Sequence, residues 1–575
     1  MTAAPGLLDA PLDPELLRGV PLKVCLQGIG KHWKRSIAAS DSSSLTVENS
    51  YGLSQKTDRI DFFFSHDWET SRLLKWLSLL VMFNSHAAAT AMMLVTTCLV
   101  VLAAMGGLPM VLWPWLPVFS MLSYAVMFLF WQRFRSFCGK PLLVFLDRLC
   151  IAQHDMALKE QGIRGLGSFL EKSQNLTILW SGRYFSRLWC LYEVASYLKD
   201  ERSEHKNIQI LPVHLCLLLC IASAQATSWM FAIHLAVGTM GVDGWWIIEN
   251  PVLFNLFGRG GAAFIPVALY VGLGCMTRLY QLPRQLQNFR VQDAQCFCCS
   301  NGHQHPETGK ELPCDRRLVF SALEKWFSRD DDVDGDWMER FNRMVREKLS
   351  SRIAHTVGRG LPPFKYVLST VCVAPVPYIG FFIVVSFMGL EDEEIDGHDL
   401  DKEDDMVFFV LAELMEFLLP PLYGVFCLLL IIQVCRLVFY FFQKLGISTS
   451  VLAHPCRRAL LALLISPMLW AVLVFGIWVP MIGEFSDGGE LLPEVKGILY
   501  LLYCALVGAF FFLPELDCSQ PGVSTNGGTW RDPGTILGSG EIPSISGTAL
   551  KPGVDSAMGE DLCREIEEEL MSVRF

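Results

Sequence analysis

Apolar residues along this chain gather in runs of two lengths, and each length predicts a different element. Long runs of about twenty residues, the length a membrane-crossing helix requires, occur at 86–106, 109–131, 216–240, 261–280, 366–389, 407–436, 459–483 and 497–513. Only Gly107 and Leu108 separate the first two, so they form a hairpin, and Pro420-Pro421 predicts a kink in the sixth. Short runs of five to seven residues lie between the long ones: 59–65 (RIDFFFS), 142–146 (LLVFL), 176–180 (LTILW) and 208–213 (IQILPV). Continuous apolar runs of this length suit strands covered on both faces, as in a parallel sheet. Helical spacing separates them. Ile163, Leu166, Phe169 and Leu170 share one face between the second and third runs. Leu188, Leu191, Tyr192, Ala195 and Leu198 share another after the third, with Ser186 as its expected N-cap. The alternation predicts a doubly wound parallel sheet. The expected fold class is an α-helical multi-pass membrane protein of about eight spans with a cytosolic α/β parallel-sheet domain.

Composition agrees with that pattern. The chain is 52% hydrophobic and 18% charged, with mean hydropathy +0.36, whereas soluble domains carry roughly 25% charged residues. A formal net charge of −11 argues against a nucleic-acid binder, which would show a basic face. Lys and Arg fix the expected orientation. Segment 132–206 holds Arg133, Arg135, Lys140, Arg148 and Lys159, and segment 281–363 holds Arg284, Arg290, Arg316, Arg317 and Arg340. The opposite side offers little beyond Arg259, Lys402 and Lys496. Cytosolic loops keep the basic residues, so both termini and both large segments are expected in the cytosol. None of the 19 cysteines falls in the expected exterior loops 241–260, 390–406 and 484–496, which favours reduced thiols. The N-terminal segment 1–57 is expected to be poorly ordered, with no cleavable leader. The tail 515–575 is expected to be disordered before a short terminal helix.

The short runs carry a recognisable motif set. Asp61-Phe62-Phe63-Phe64-Ser65-His66-Asp67 is a strand ending in Ser. Residues 173–181 (SQNLTILWS), followed by Tyr184, form a strand and its loop. Ser186-Arg187-Leu188-Trp189-Cys190-Leu191-Tyr192-Glu193 has the form S-x-x-W-C-x-x-E. Together these resemble the TIR family, flavodoxin-like modules of immune and NAD-cleaving proteins, over roughly residues 58–75 and 140–213. The chain departs from the family in three places. The apolar hairpin splits the domain, Asp147-Arg148-Leu149 stands where a Pro-Gly loop is usual, and the fourth strand runs directly into an apolar helix.

The resemblance implies a catalytic role for Glu193, whose carboxylate would stabilise the oxocarbenium-like ribose as the bond to nicotinamide breaks. In a flavodoxin-like sheet, ligands bind at the carboxyl ends of the central strands. That places Ser65, Trp68, Ser181, Arg183 and Trp189 as NAD-binding candidates: Trp68 to stack on a ring, Arg183 to meet a phosphate, and Trp189 on the helix face of Glu193. Many TIR domains have no activity and act by contact, so a signalling or scaffold role, with other TIR-like domains or a homo-oligomer as partners, stands beside NAD cleavage. A transporter or channel regulated by its soluble domain is the alternative from another class.

Three further clusters bear on chemistry. Cys296, Cys298, Cys299, His303, His305 and Cys314 supply ligand types for a structural zinc, with palmitoylation or plain buried thiols as the other readings. Asp330, Asp332 and Asp334 resemble the start of a calcium loop, but Phe341 stands at its twelfth position where a Glu is needed. Glu413 and Glu416 lie within an apolar run, where ionisable groups are costly.

Overall fold

The computed structural model describes residues 12–34, 50–199, 207–240, 251–304, 309–328, 336–349, 363–389, 428–442 and 450–481, with a few isolated positions besides. The Asp330–Asp334 loop, Glu413, Glu416, His305 and the tail lie outside the described residues. The α/β domain, the helices that follow it and the Cys/His segment belong to one compact unit, and a second unit is built from 440–461 and the chain beyond 470.

The domain is built on a six-stranded sheet in the order β2-β1-β4-β3-β5-β6. Its strands are β1 (Arg18–Pro21), β2 (Gln55–Lys56), β3 (Ile60–His66), β4 (Leu143–Phe145), β5 (Ser173–Trp180) and β6 (Asn207–Pro212). The last four are the short apolar runs, and they lie parallel, with β3 between β4 and β5. Phe63, Phe64, Val144, Phe145, Leu176, Ile178 and Leu179 are all buried. Phe63 stacks on Phe145 at 4.4 Å between centroids, which explains why these runs carry no polar alternation.

Two expectations about this sheet are corrected. It is mixed, because β1 runs antiparallel to both β4 and β2. The N-terminal segment is also ordered where it is described. Trp33 is fully enclosed, its indole N–H donates to the Cys25 carbonyl at 2.9 Å, and β1 covers the β4 edge. An exposed β4 edge would leave backbone groups unpaired, and the N-terminal residues satisfy them.

Helix α1 (Arg72–Ala104) leaves β3 and returns through α2 (Leu116–Phe137) to β4. The helix expected across 163–173 is two helices, α3 (Met156–Arg164) and α4 (Leu166–Glu171), which meet at Gly165. After β5 comes α5 (Leu188–Leu198), with Arg187 in extended conformation at the N-cap position and no side-chain capping bond. Ser186 is not its N-cap. Its hydroxyl turns back to donate to the Arg183 carbonyl at 2.7 Å. The chain continues through α6 (Val213–Met240), which starts directly at the end of β6, and α7 (Pro251–Gln287).

The expectation of about eight spans is overturned. Among the described residues, two helices are long and apolar enough to cross a membrane, Arg72–Ala104 and Val111–Phe137. Counted over the described side chains alone, the apolar stretches Val213–Ser228, Ile265–Leu279 and Leu428–Phe442 are shorter, and 407–427 and 497–513 lie outside the described residues. The physical reason is visible in α6 and α7, which pack on each other while α6 packs on α1. Leu215, Leu218 and Leu219 of α6 and Leu269, Leu273 and Met276 of α7 are buried within the protein. A helix enclosed by protein has the same composition as one enclosed by lipid, so counting apolar residues cannot separate them.

Candidate functional site

The carboxyl end of β3 brings together one group of the residues singled out in the sequence. Ser65 is fully buried. Its hydroxyl donates to Glu193 Oε2 and lies 2.5 Å from the Tyr184 hydroxyl. Glu193 reaches Ser65 from the second turn of α5, and Cys190, one turn earlier, packs its Sγ 3.5 Å from the His66 carbonyl. Burial pushes the Glu193 carboxyl up to about 8. The Ser65 hydrogen bond opposes the shift and the Asp147 carboxylate adds to it. Near neutral pH, Glu193 is therefore a neutral acid, a poor group for stabilising a cation.

The other candidates are committed elsewhere. Arg183 pairs with Glu69. Trp68 donates its indole N–H to Asp147 Oδ2 at 3.0 Å. Trp189 lies on α5, but its indole N–H donates to Asp315 Oδ2 at 3.2 Å, away from Ser65, and its ring meets Tyr192 edge-on. The Ser181 hydroxyl is buried with no hydrogen bond. The structure joins Ser65 to Glu193, ties Trp68 to Asp147 and ties Arg183 to Glu69. It does not bring Ser181 or Trp189 to the carboxyl.

Sequence reasoning missed a second cluster at the same strand ends. Asp67 follows β3 and Asp147 follows β4, on neighbouring parallel strands. Asp67 is 2% exposed, with Arg187 Nε at 3.6 Å. Lys75, on the first turn of α1, is 0% exposed and its Nζ makes no hydrogen bond. The Nζ instead lies over the ring faces of Trp33 at 5.8 Å and Trp68 at 5.4 Å. His66 packs edge-on against both rings, and burial first, then the Lys75 charge, hold its imidazole neutral. One signal was available in the sequence: a carboxylate within two residues of the end of each of two apolar strand runs. Trp33 and Lys75 offered none.

The Cys/His segment condenses into a candidate metal centre. One ligand atom from each of Cys298, Cys299, His303 and Cys314 lies within 4.8 Å of all the others, and these residues could hold a metal ion. A short helix, Phe297–Ser300, presents the first two. Gly302 and His303 then take left-handed conformations at φ 59° and 60°, which turn the chain back so that His303 N–H donates to the Cys298 carbonyl at 2.7 Å. Cys314 closes the set as the N-cap of α8 (Asp315–Phe327). The Sγ separations of 4.0 Å for Cys298–Cys299 and 3.9 Å for Cys299–Cys314 are close to the tetrahedral spacing, about 3.7 Å for Zn–S bonds of ordinary length. Cys296 lies 3.0 Å from Cys298, too close for a second ligand of the same ion, and groups with Cys298 and Asp315 instead.

Compared with family models, with curated proteins and with solved structures, the chain matches none.

Proposed function

We propose that this is a membrane-anchored signalling or scaffold protein whose cytosolic, TIR-like α/β domain works by contact with other proteins. The carrying observation is that the groups an NAD-cleaving site would use are already engaged by other residues of the protein. Glu193 is a neutral acid bonded to Ser65, Arg183 is held by Glu69, and Trp189 by Asp315. The α1–α2 hairpin supports the anchor. Its exposed side chains include Leu94, Leu102, Phe119, Leu122 and Phe130, while Asn84, Ser85, Thr96, Ser120 and Gln132 are buried. Gln132 donates to Asn84 Oδ1 at 2.9 Å across the pair. Polar contacts inside and apolar side chains outside is the arrangement helices adopt in lipid.

The test is NAD turnover by the purified full chain beside Glu193→Gln. Equal, background-level consumption by both is expected. Turnover by the wild type that Glu193→Gln abolishes would overturn the contact-only reading and favour NAD as substrate.

We propose further that Cys298, Cys299, His303 and Cys314 hold one structural zinc ion. Support comes from the near-tetrahedral sulfur spacing and from the Asp315 N–H, which donates to Cys298 Sγ at 3.3 Å and would stabilise a thiolate ligand. Elemental analysis of protein purified without chelators should find one zinc per chain, lost in Cys299→Ser. Metal-free protein, or S-acyl groups found on these cysteines, would sink the assignment.

A further inference from the structure

We infer that the Cys/His centre is a clasp: metal bound there fastens residues 289–304 and 309–316 onto the start of α5 and so controls exposure of the Ser65–Glu193 pair. This rests on the zinc reading above and adds a consequence for the site.

The anchoring contacts lie next to the ligands in sequence. Gln295, three residues before Cys298, exchanges two backbone hydrogen bonds with the loop ahead of α5. Its N–H donates to the Ser186 carbonyl at 2.6 Å, and its carbonyl accepts from the Leu188 N–H at 3.1 Å. Asp315, directly after Cys314, accepts the Trp189 indole N–H at 3.2 Å. Arg316 ties the segment to itself, with a guanidinium nitrogen 2.7 Å from the Gln292 carbonyl and a bond to that of Ala294. Between α7 and α8 the described chain has little regular structure of its own: a single turn at Val291–Asp293 and the four-residue helix Phe297–Ser300. A loop of this kind gains its position from cross-links, and a metal bound by residues on both sides of the turn is a strong one.

The anchored residues lead to the site. Arg187, between Ser186 and Leu188, is paired with Asp67 and Glu69 at the end of β3. Glu193 follows on the same helix, bonded to Ser65. Loss of the metal frees Gln295 and Asp315, loosens the first turns of α5, and admits water to the Glu193 carboxyl. The clasp would let metal supply set whether the strand ends are closed or open to a partner.

Hydrogen exchange on the full-length protein in detergent tests this, with metal content measured on the same samples. Removing zinc with a high-affinity chelator should raise amide exchange across 186–193 by at least about 10-fold, the scale of a local opening. Exchange in 60–66 and 173–180 should stay unchanged, and zinc re-addition should restore protection. Asp315→Ala keeps all four ligands and should raise exchange at 188–193 with zinc still bound. Unchanged protection in demetallated protein overturns the clasp and leaves the zinc site standing. A rise that includes 60–66 and 173–180 also overturns it, because the metal would then hold the whole domain. Protein that never contains metal overturns both readings.

Discussion

Lys75→Met is expected to destabilise the α/β domain by about 3 kcal/mol at neutral pH, the cost typical of breaking a buried charge arrangement from one side. Lys75 is completely enclosed, and its ammonium has two ring faces and no hydrogen-bond acceptor. An isolated ammonium in that position would be prohibitive. The nearby Asp67 and Asp147 carboxylates, which both interact with it electrostatically, offset the cost. Methionine fits the volume but removes the cation. Asp67 then keeps Arg187, while Asp147 keeps the Trp68 indole N–H, the Arg148 N–H at 2.7 Å and the weaker pull of the Arg148 charge. Burial already raises the Asp147 carboxyl, so it is the weaker partner. Adding Asp147→Asn to Lys75→Met should therefore recover at least half of the loss, a coupling a double-mutant cycle reads directly. Unfolding followed by tryptophan fluorescence, to which the enclosed Trp33 contributes, is the measurement. A neutral or stabilising Lys75→Met would show that the buried ammonium costs as much as it returns.

The difference between what was legible in the sequence and what was not follows the physics of each element. Strands β3 to β6 were legible because burial on both faces writes a continuous apolar run. Strands β1 (RGVP) and β2 (QK) carry no such run, since they pair chiefly through backbone groups at the sheet margin. The apolar windows at α6 and α7 were legible as helices, but their surroundings were not, because protein and lipid select the same side chains. In the Cys/His segment the density of ligand types was plain. Which four converge depends on the left-handed turn at Gly302 and His303, which only the folded chain displays. The role given to Arg183 follows from the strand-end position of ligands in a flavodoxin-like sheet, and that of Trp189 from the TIR resemblance. The partners that occupy them, Glu69 and Asp315, come from remote parts of the chain, and one of them from outside the region of resemblance.

Glu193→Gln should stabilise the protein, and the gain should depend on pH in a direction the buried carboxyl fixes. The folded-state value of about 8 lies above the ordinary 4.5. Between those values the unfolded chain has released the proton and the folded chain still holds it, so rising pH favours unfolding through this group. The cost is near zero below the unfolded value, grows across the window from about 4.5 to about 8, and is constant above it. Glutamine can accept the Ser65 hydrogen bond and never ionises. The melting temperatures of wild type and variant should therefore coincide near pH 5 and separate steadily up to pH 8, with the variant higher. Because the residue retains some exposure, the plateau should be about 2–3 kcal/mol rather than the full value of the shift. Taking the difference between the two proteins cancels the opposite contribution of His66, whose buried neutral ring loses stability as pH falls. A pH-independent difference, or a variant less stable at pH 8, would show that Glu193 is ionised in the folded protein. The carboxylate would then be available to a cation at the end of β3, and the contact-only reading of the domain would lose its main support. The expected profile instead describes an acid kept protonated by its surroundings, suited to holding Ser65 and Tyr184 in place rather than to charge stabilisation.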